Sequence, residues 1–264
     1  MQSRQERSNQ EVRHEPTPVG TAKRLHSDRS LRDWLLFTLT VSSGAVDATS
    51  FLALGGVFTA FMTGNLAFLG MGLAGHPHAA SRLAVLASVA GFALGIYLAT
   101  LIVTPRQTVA DDDKESAAVV WPLRTTYALA VSLLPQLGFV VLWIATGGSP
   151  NFNARLGLLA VWALAMGMQT AAVRRLDVGG IFTTAATATF IFLFGSFAGR
   201  PLSGEERFRL FGVLASLVIG ATAGAYLLIH APTYVPLLPF VITIAVVAMA
   251  AKAFGYRDDS RGLP

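Results

Sequence analysis

Long apolar blocks alternate with short polar breaks along this chain, and the blocks are apolar all round rather than striped. Eight of them stand out, at residues 34–54, 57–74, 83–103, 125–146, 156–173, 181–197, 210–229 and 235–254. A helix that crosses the hydrocarbon core needs about 20 mostly apolar residues, each adding about 1.5 Å of rise. Most blocks reach or approach that length. In lipid a spanning segment must satisfy its own backbone hydrogen bonds, so such blocks predict α-helices. The expected fold is all-α: a polytopic helical membrane protein of eight apolar helical segments making six to eight crossings.

The pattern repeats. A shift of 124 residues lays Leu52-Ala53-Leu54-Gly55-Gly56-Val57-Phe58-Thr59 on Leu176-Asp177-Val178-Gly179-Gly180-Ile181-Phe182-Thr183, with five identities in eight. Val85-Leu86-Ala87-Ser88 matches Val213-Leu214-Ala215-Ser216, and Gly91, Gly95, Tyr97 and Leu98 match Gly220, Gly224, Tyr226 and Leu227. The expectation is a duplicated membrane domain over 31–256, with halves at 34–146 and 156–254. Gly91-x-x-x-Gly95 and Gly220-x-x-x-Gly224 each place two glycines on one helix face, a spacing that brings helices close in lipid.

Residues 1–30 lack an apolar run and a secretory signal core, and read as a disordered cytoplasmic tail. Residues 257–264 form a second tail. Pro105, Pro122, Pro150, Pro201 and Pro232 punctuate loops, whereas Pro135 and Pro239 fall inside apolar segments.

Composition agrees with the pattern: 53% hydrophobic, 13% charged and a mean hydropathy of +0.55, against about 25% charged residues in soluble domains. The net charge of +5 does not indicate nucleic acid, because seven Lys and Arg lie in the first 32 positions and the rest fall between apolar blocks. Such clustering orients a membrane protein with its basic loops inside. Eight crossings from a cytoplasmic N-terminus put 15 basic residues inside and 5 outside. If the first two segments of each half cross only once together, 16 lie inside and 2 outside, with Arg174 and Arg175 unplaced. Segment length favours the first scheme and charge the second. Both put the two termini in the cytoplasm and the protein in the bacterial inner membrane, in contact with lipid. Without cysteine there is no disulfide or thiolate site. No cofactor motif is present, His76 and His78 lack a third metal ligand, and homo-oligomerisation is left open.

Polar residues inside apolar segments are the candidates for function, since they are expensive there. Asp47 is the one acidic residue well inside a segment, where its charge costs about 2.5–3.5 kcal/mol on insertion scales. It either carries a proton or cation, or holds helices together. Thr63 and Asn65 flank Gly64 in the second segment, where a loosened helix could present them to a polar substrate. Gln169 lies near Arg174 and Arg175 in the second half, in the counterpart of the Asp47 region. An ion pair from Asp47 to Arg174 or Arg175 across the seam is the expectation, and Gly55 and Gly179 are the matched hinge positions.

These residues also carry a resemblance. Gly44-Ala45-Val46-Asp47-Ala48-Thr49-Ser50-Phe51-Leu52-Ala53-Leu54-Gly55 and Val57-Phe58-Thr59-Ala60-Phe61-Met62-Thr63-Gly64-Asn65 resemble the opening signature of the YoaK-like family of bacterial multi-pass membrane proteins, defined by a domain of unknown function. Ala165-Met166-Gly167-Met168-Gln169-Thr170-Ala171-Ala172-Val173-Arg174-Arg175-Leu176 resembles its second signature. The family commonly has Asn where this chain has Phe61 and Thr170. The resemblance covers about residues 34–254 and implies one inner-membrane domain without naming a substrate. The resulting expectation is a permease for an unidentified small molecule, not an enzyme, with Asp47, Thr63, Asn65 and Gln169 lining a site between the halves. The alternative is a scaffold or accessory subunit whose polar groups only join helices.

Overall fold

A computed structural model describes residues 19–104, 120–176, 178, 186–196, 199 and 202–255. Among them are eight α-helices: α1 (Val19–Ala53), α2 (Met62–Leu73), α3 (Arg82–Val103), α4 (Leu123–Ala145), α5 (Phe152–Arg174), α6 (Ala186–Gly195), α7 (Gly204–His230) and α8 (Leu237–Phe254). A 3₁₀ turn, Pro232–Tyr234, joins the last two. Six of them, α1, α3, α4, α5, α7 and α8, are long and apolar enough to cross a membrane. The 12 residues of α2 and the 10 described for α6 rise only about 15–18 Å, half of the hydrocarbon thickness.

Two hydrophobic clusters give the direction of each spanning helix. One joins Leu35 and Leu39 of early α1 to Val103 at the end of α3, Leu129 of early α4, Val173 at the end of α5, Val213 of early α7 and Ala250 of late α8. The other joins Val46 and Leu54 of late α1 to Val85 at the start of α3, Trp143 at the end of α4 and Leu158 at the start of α5, with Leu228 of late α7 against it. Hence α1, α4 and α7 run one way and α3, α5 and α8 the other. Because α1 and α3 are antiparallel, α2 adds no crossing between them. All eight expected helical segments are present, but the eight-crossing scheme is corrected to six. Apolar composition alone could not separate a short helix fed by buried coil from a full span.

The tail expectation also needs correction. The helix of α1 starts at Val19, so the stretch from 19 to 30 is helical, and residues 1–18 lie outside the described set. At 35 residues α1 is about 50 Å long, which carries its polar N-terminal turns beyond the apolar stretch.

The main packing is between α3 and α5 and between α1 and α7. Each pair is built on glycine. Gly91 and Gly95 of α3 lie against the carbonyls of Ala160 and Leu164 on α5, and Gly167 of α5 lies against that of Phe92. Gly220 and Gly224 of α7 lie against the carbonyls of Val41 and Ala45 on α1, and Gly44 of α1 against that of Leu217. Without a Cβ at these places the backbones approach closely, and that contact replaces the missing hydrophobic drive between helices in lipid. Both α4 and α8 complete the bundle, α4 against α5 and α8 against α1 and α4.

Candidate functional site

Asp47 and Asn65 hold a piece of coil inside the bundle. Gly55 (φ 102°) and Gly56 (φ 73°) end α1 in left-handed conformations that other residues rarely adopt. The chain then runs through Val57, Thr59 and Ala60, all buried, before α2 begins at Met62. Coil at this depth is tolerated only if other parts of the protein pair its N–H and C=O groups. The Oδ1 of Asp47 accepts from the backbone N–H groups of Thr59 (2.9 Å) and Ala60 (2.8 Å) and from the Thr59 hydroxyl (3.4 Å). Asn65 pairs with both sides of Phe58: its Oδ1 accepts from the Phe58 N–H (3.0 Å) and its Nδ2 donates to the Phe58 carbonyl (2.7 Å). Ser88 on α3 donates to the same carbonyl (2.6 Å) and accepts from Asn65 Nδ2 (3.2 Å). The Phe58 ring stacks on Phe51 at 4.8 Å.

The other expected residues separate from this clasp. Thr63 is exposed on α2. Arg174 and Arg175 are exposed at the C-terminal end of α5, by the first hydrophobic cluster. Gln169 meets Leu39 across antiparallel α5 and α1, and from there Asp47 and Arg174 lie in opposite directions along the axes, about 20 Å apart. The expected ion pair is therefore absent, and the carboxylate is met by backbone N–H groups instead. Gly179 lies outside the described residues.

Gln169 belongs to a different arrangement. From α1, α4, α5 and α8 come Ser42, Ser43, Ser132, Gln136, Gln169 and Thr243, all buried, with Gln169 at the level of the first hydrophobic cluster and the two serines of α1 just beyond it toward the second. Thr243 Oγ1 donates to Gln136 Oε1 (3.2 Å), and Gln136 Nε2 lies 3.5 Å from Ser132 Oγ. Gln169 Nε2 donates to the Leu39 carbonyl (3.2 Å). Its Oε1, and the hydroxyls of Ser42 and Ser43, have no partner. This group is polar but uncharged, and four of the six spans contribute to it. Such groups can exchange hydrogen bonds with a small polar species. Sequence reasoning found Gln169 and missed the rest, although Gln136 and Gln169 are the only glutamines within the six spans.

At the far end of α1, Asp33 accepts from Arg32 (2.8 Å) and faces Arg209 of α7 (3.9 Å). Both lie by an open groove of about 710 Å³ whose wall includes His26, Arg29, Trp34 and Glu205. Its mixed charge favours no single ligand class.

Comparison with known proteins bears on the whole of this bundle. The family described as "Protein of unknown function (DUF1275)" matches residues 35–249. The UPF0700 transmembrane protein YoaK of Bacillus subtilis (strain 168) is 31% identical over 176 residues, covering 67% of this chain and 72% of that protein. No solved structure matches. The match runs from early α1 to late α8, so the clasp and the polar layer both fall within it, and the chain belongs to the DUF1275 family of transmembrane proteins.

Proposed function

We propose that the protein is a small-molecule permease of the bacterial inner membrane, with its solute path crossing the buried polar layer between two inverted halves. The carrying observation is that layer: six uncharged polar side chains from four helices, buried within an otherwise apolar bundle, with three oxygens unpaired. An unsatisfied polar group in hydrocarbon is costly, so these oxygens favour a path that supplies them with partners over a role in helix packing alone. Duplication is part of the proposal. Each half has a long, a short and two further long helices, and α1 and α5 run oppositely, as inverted repeats require.

Charge supports the orientation. With the N-terminus inside, ten of the twelve Lys and Arg among the described residues fall on the inner side and only Arg82 and Arg155 on the outer. Since the chain has no native cysteine, His78→Cys, between α2 and α3, should be labelled by an impermeant maleimide in intact cells. Thr104→Cys, at the end of α3, should be labelled only after the membrane is opened. The reverse pattern would overturn this orientation, since it fits either an inverted six-crossing bundle or eight crossings from a cytoplasmic N-terminus, and labelling of both in intact cells would mean that α3 does not cross.

Transport itself is tested in proteoliposomes with small uncharged solutes such as urea and glycerol. Gln169→Leu and Gln136→Leu should lower flux at least tenfold in protein that still melts cooperatively. Wild-type protein that moves nothing, with both variants silent in cells, would sink the permease reading. The clasp favours a second reading, a scaffold or accessory subunit, because Asp47 and Asn65 are engaged in holding the chain. That reading predicts a partner subunit that survives gentle purification, and loss of the partner rather than of flux in Asp47 variants.

A further inference from the structure

Three oxygens of the polar layer, Ser42 Oγ, Ser43 Oγ and Gln169 Oε1, are buried and unpaired. A helical hydroxyl normally has a local partner, the carbonyl four residues earlier. Thr38, Thr40 and Thr49 of the same helix all use it, at 2.7–2.8 Å. For Ser43 that carbonyl belongs to Leu39, and it already accepts the Gln169 amide nitrogen at 3.2 Å. The same bond fixes the Gln169 amide, because its nitrogen is committed to Leu39 and its oxygen is left as an acceptor. Ser43 and Gln169 thus meet around the Leu39 carbonyl, and Ser42 is the next residue of α1.

The charge around this turn has one sign. Asp47 follows Ser43 by four residues, on the same face of α1. Its carboxylate is met by the dipoles of Thr59 and Ala60, not by a cationic side chain. The Lys and Arg residues of the spanning helices lie at helix ends or in the polar N-terminal turns of α1. Hydroxyl and amide oxygens beside a carboxylate are hard ligands suited to a small cation. Among the described residues no three His, Cys, Asp or Glu side chains come together, so the donor set fits neither a transition metal nor a carboxylate-bound divalent ion.

We propose that Ser42, Ser43 and Gln169 form a binding site for one monovalent alkali cation, with Asp47 supplying the negative field. Its role as a coupling ion rests on the permease reading, whereas the site itself does not. Binding to the folded state alone raises the melting temperature with saturation.

The test is the melting of purified full-length protein in detergent, titrated with NaCl, LiCl or KCl against choline chloride at constant ionic strength. At about a hundredfold excess over Kd, one alkali ion should raise the melting temperature by about 5 °C or more, while choline does not. Ser43→Cys, which keeps the volume but replaces hard oxygen by soft sulfur, should abolish the response without lowering the melting point in choline. Gln169→Glu should shift the response to at least tenfold lower cation concentration, because a carboxylate replaces a neutral oxygen. A wild-type response equal in choline, or none at all, overturns the site and leaves the three oxygens to a bridging water. An unshifted midpoint in Gln169→Glu also overturns it. A cation response without solute flux keeps the site and removes the permease. Gln169-dependent flux indifferent to alkali ions does the opposite.

Discussion

Replacing Asn65 by Leu should leave little folded protein, an expected loss of about 3–5 kcal/mol. The side chain pairs with both the N–H and the C=O of Phe58 and with the Ser88 hydroxyl. Leucine fills similar space but leaves the Phe58 N–H orphaned in a region from which water is excluded. Ser88→Ala should be milder, since the Phe58 carbonyl keeps its bond from Asn65. At Asp47 two substitutions separate holding from chemistry. Asp47→Asn retains an oxygen for the Thr59 and Ala60 N–H groups and gives up only the charge assistance, about 1 kcal/mol. Asp47→Ala removes the acceptor and should cost as much as Asn65→Leu. The measurement is the melting curve of fluorescently tagged protein in detergent, with yield from the membrane fraction beside it. If Asp47→Ala melts like wild type, the carboxylate does not hold the coil. If Asp47→Asn folds normally yet changes ion-dependent flux, the carboxylate has a role beyond the clasp.

These residues also show where sequence reasoning reached and where it stopped. The six spans are visible as apolar length, and so is the break at Gly55-Gly56 between two apolar runs. The buried coil beyond that break was not legible. Val57 and Ala60 are as apolar in buried coil as in helix, so hydropathy starts the second segment at 57, five residues before α2 begins. Asp47 was correctly singled out as costly but assigned an arginine partner, because one-dimensional symmetry cannot report that α1 and α5 run in opposite directions. Backbone N–H groups, which compensate the carboxylate here, have no signature in a sequence. Ser42, Ser43 and Thr243 escaped notice for a related reason. Lone hydroxyls in spans usually bond to their own helix, and only the occupied Leu39 carbonyl shows that Ser43 does not.

Adding a single methyl group at the glycine seams should be about as damaging as breaking the clasp, and damaging in the same way at both seams. A Cβ on Gly220 would run into the Val41 carbonyl of α1, and one on Gly91 into the Ala160 carbonyl of α5. On Gly224 it would lie 2.6 Å from the Ala45 carbonyl. These neighbours are helix backbone, which cannot rotate aside, so the helices must separate and give up contact along their length. Gly220→Ala and Gly91→Ala should each cost about 3 kcal/mol or more, at the upper end for overpacking. Gly70→Ala and Gly157→Ala meet nothing within 4 Å and should be neutral or slightly stabilising, since Ala favours helix by about 1 kcal/mol in water. Melting temperatures of the four variants separate close packing from a general dislike of substitution. The double variant Gly91→Ala with Gly220→Ala carries the mechanical question. The α1–α7 and α3–α5 seams share no glycine contact, so losses that add mark them as independent joints. A double variant whose loss departs from the sum by more than about 1 kcal/mol would mean that separating one pair of helices shifts the other. Two halves that rock as rigid bodies about the polar layer require that coupling, and a static scaffold does not.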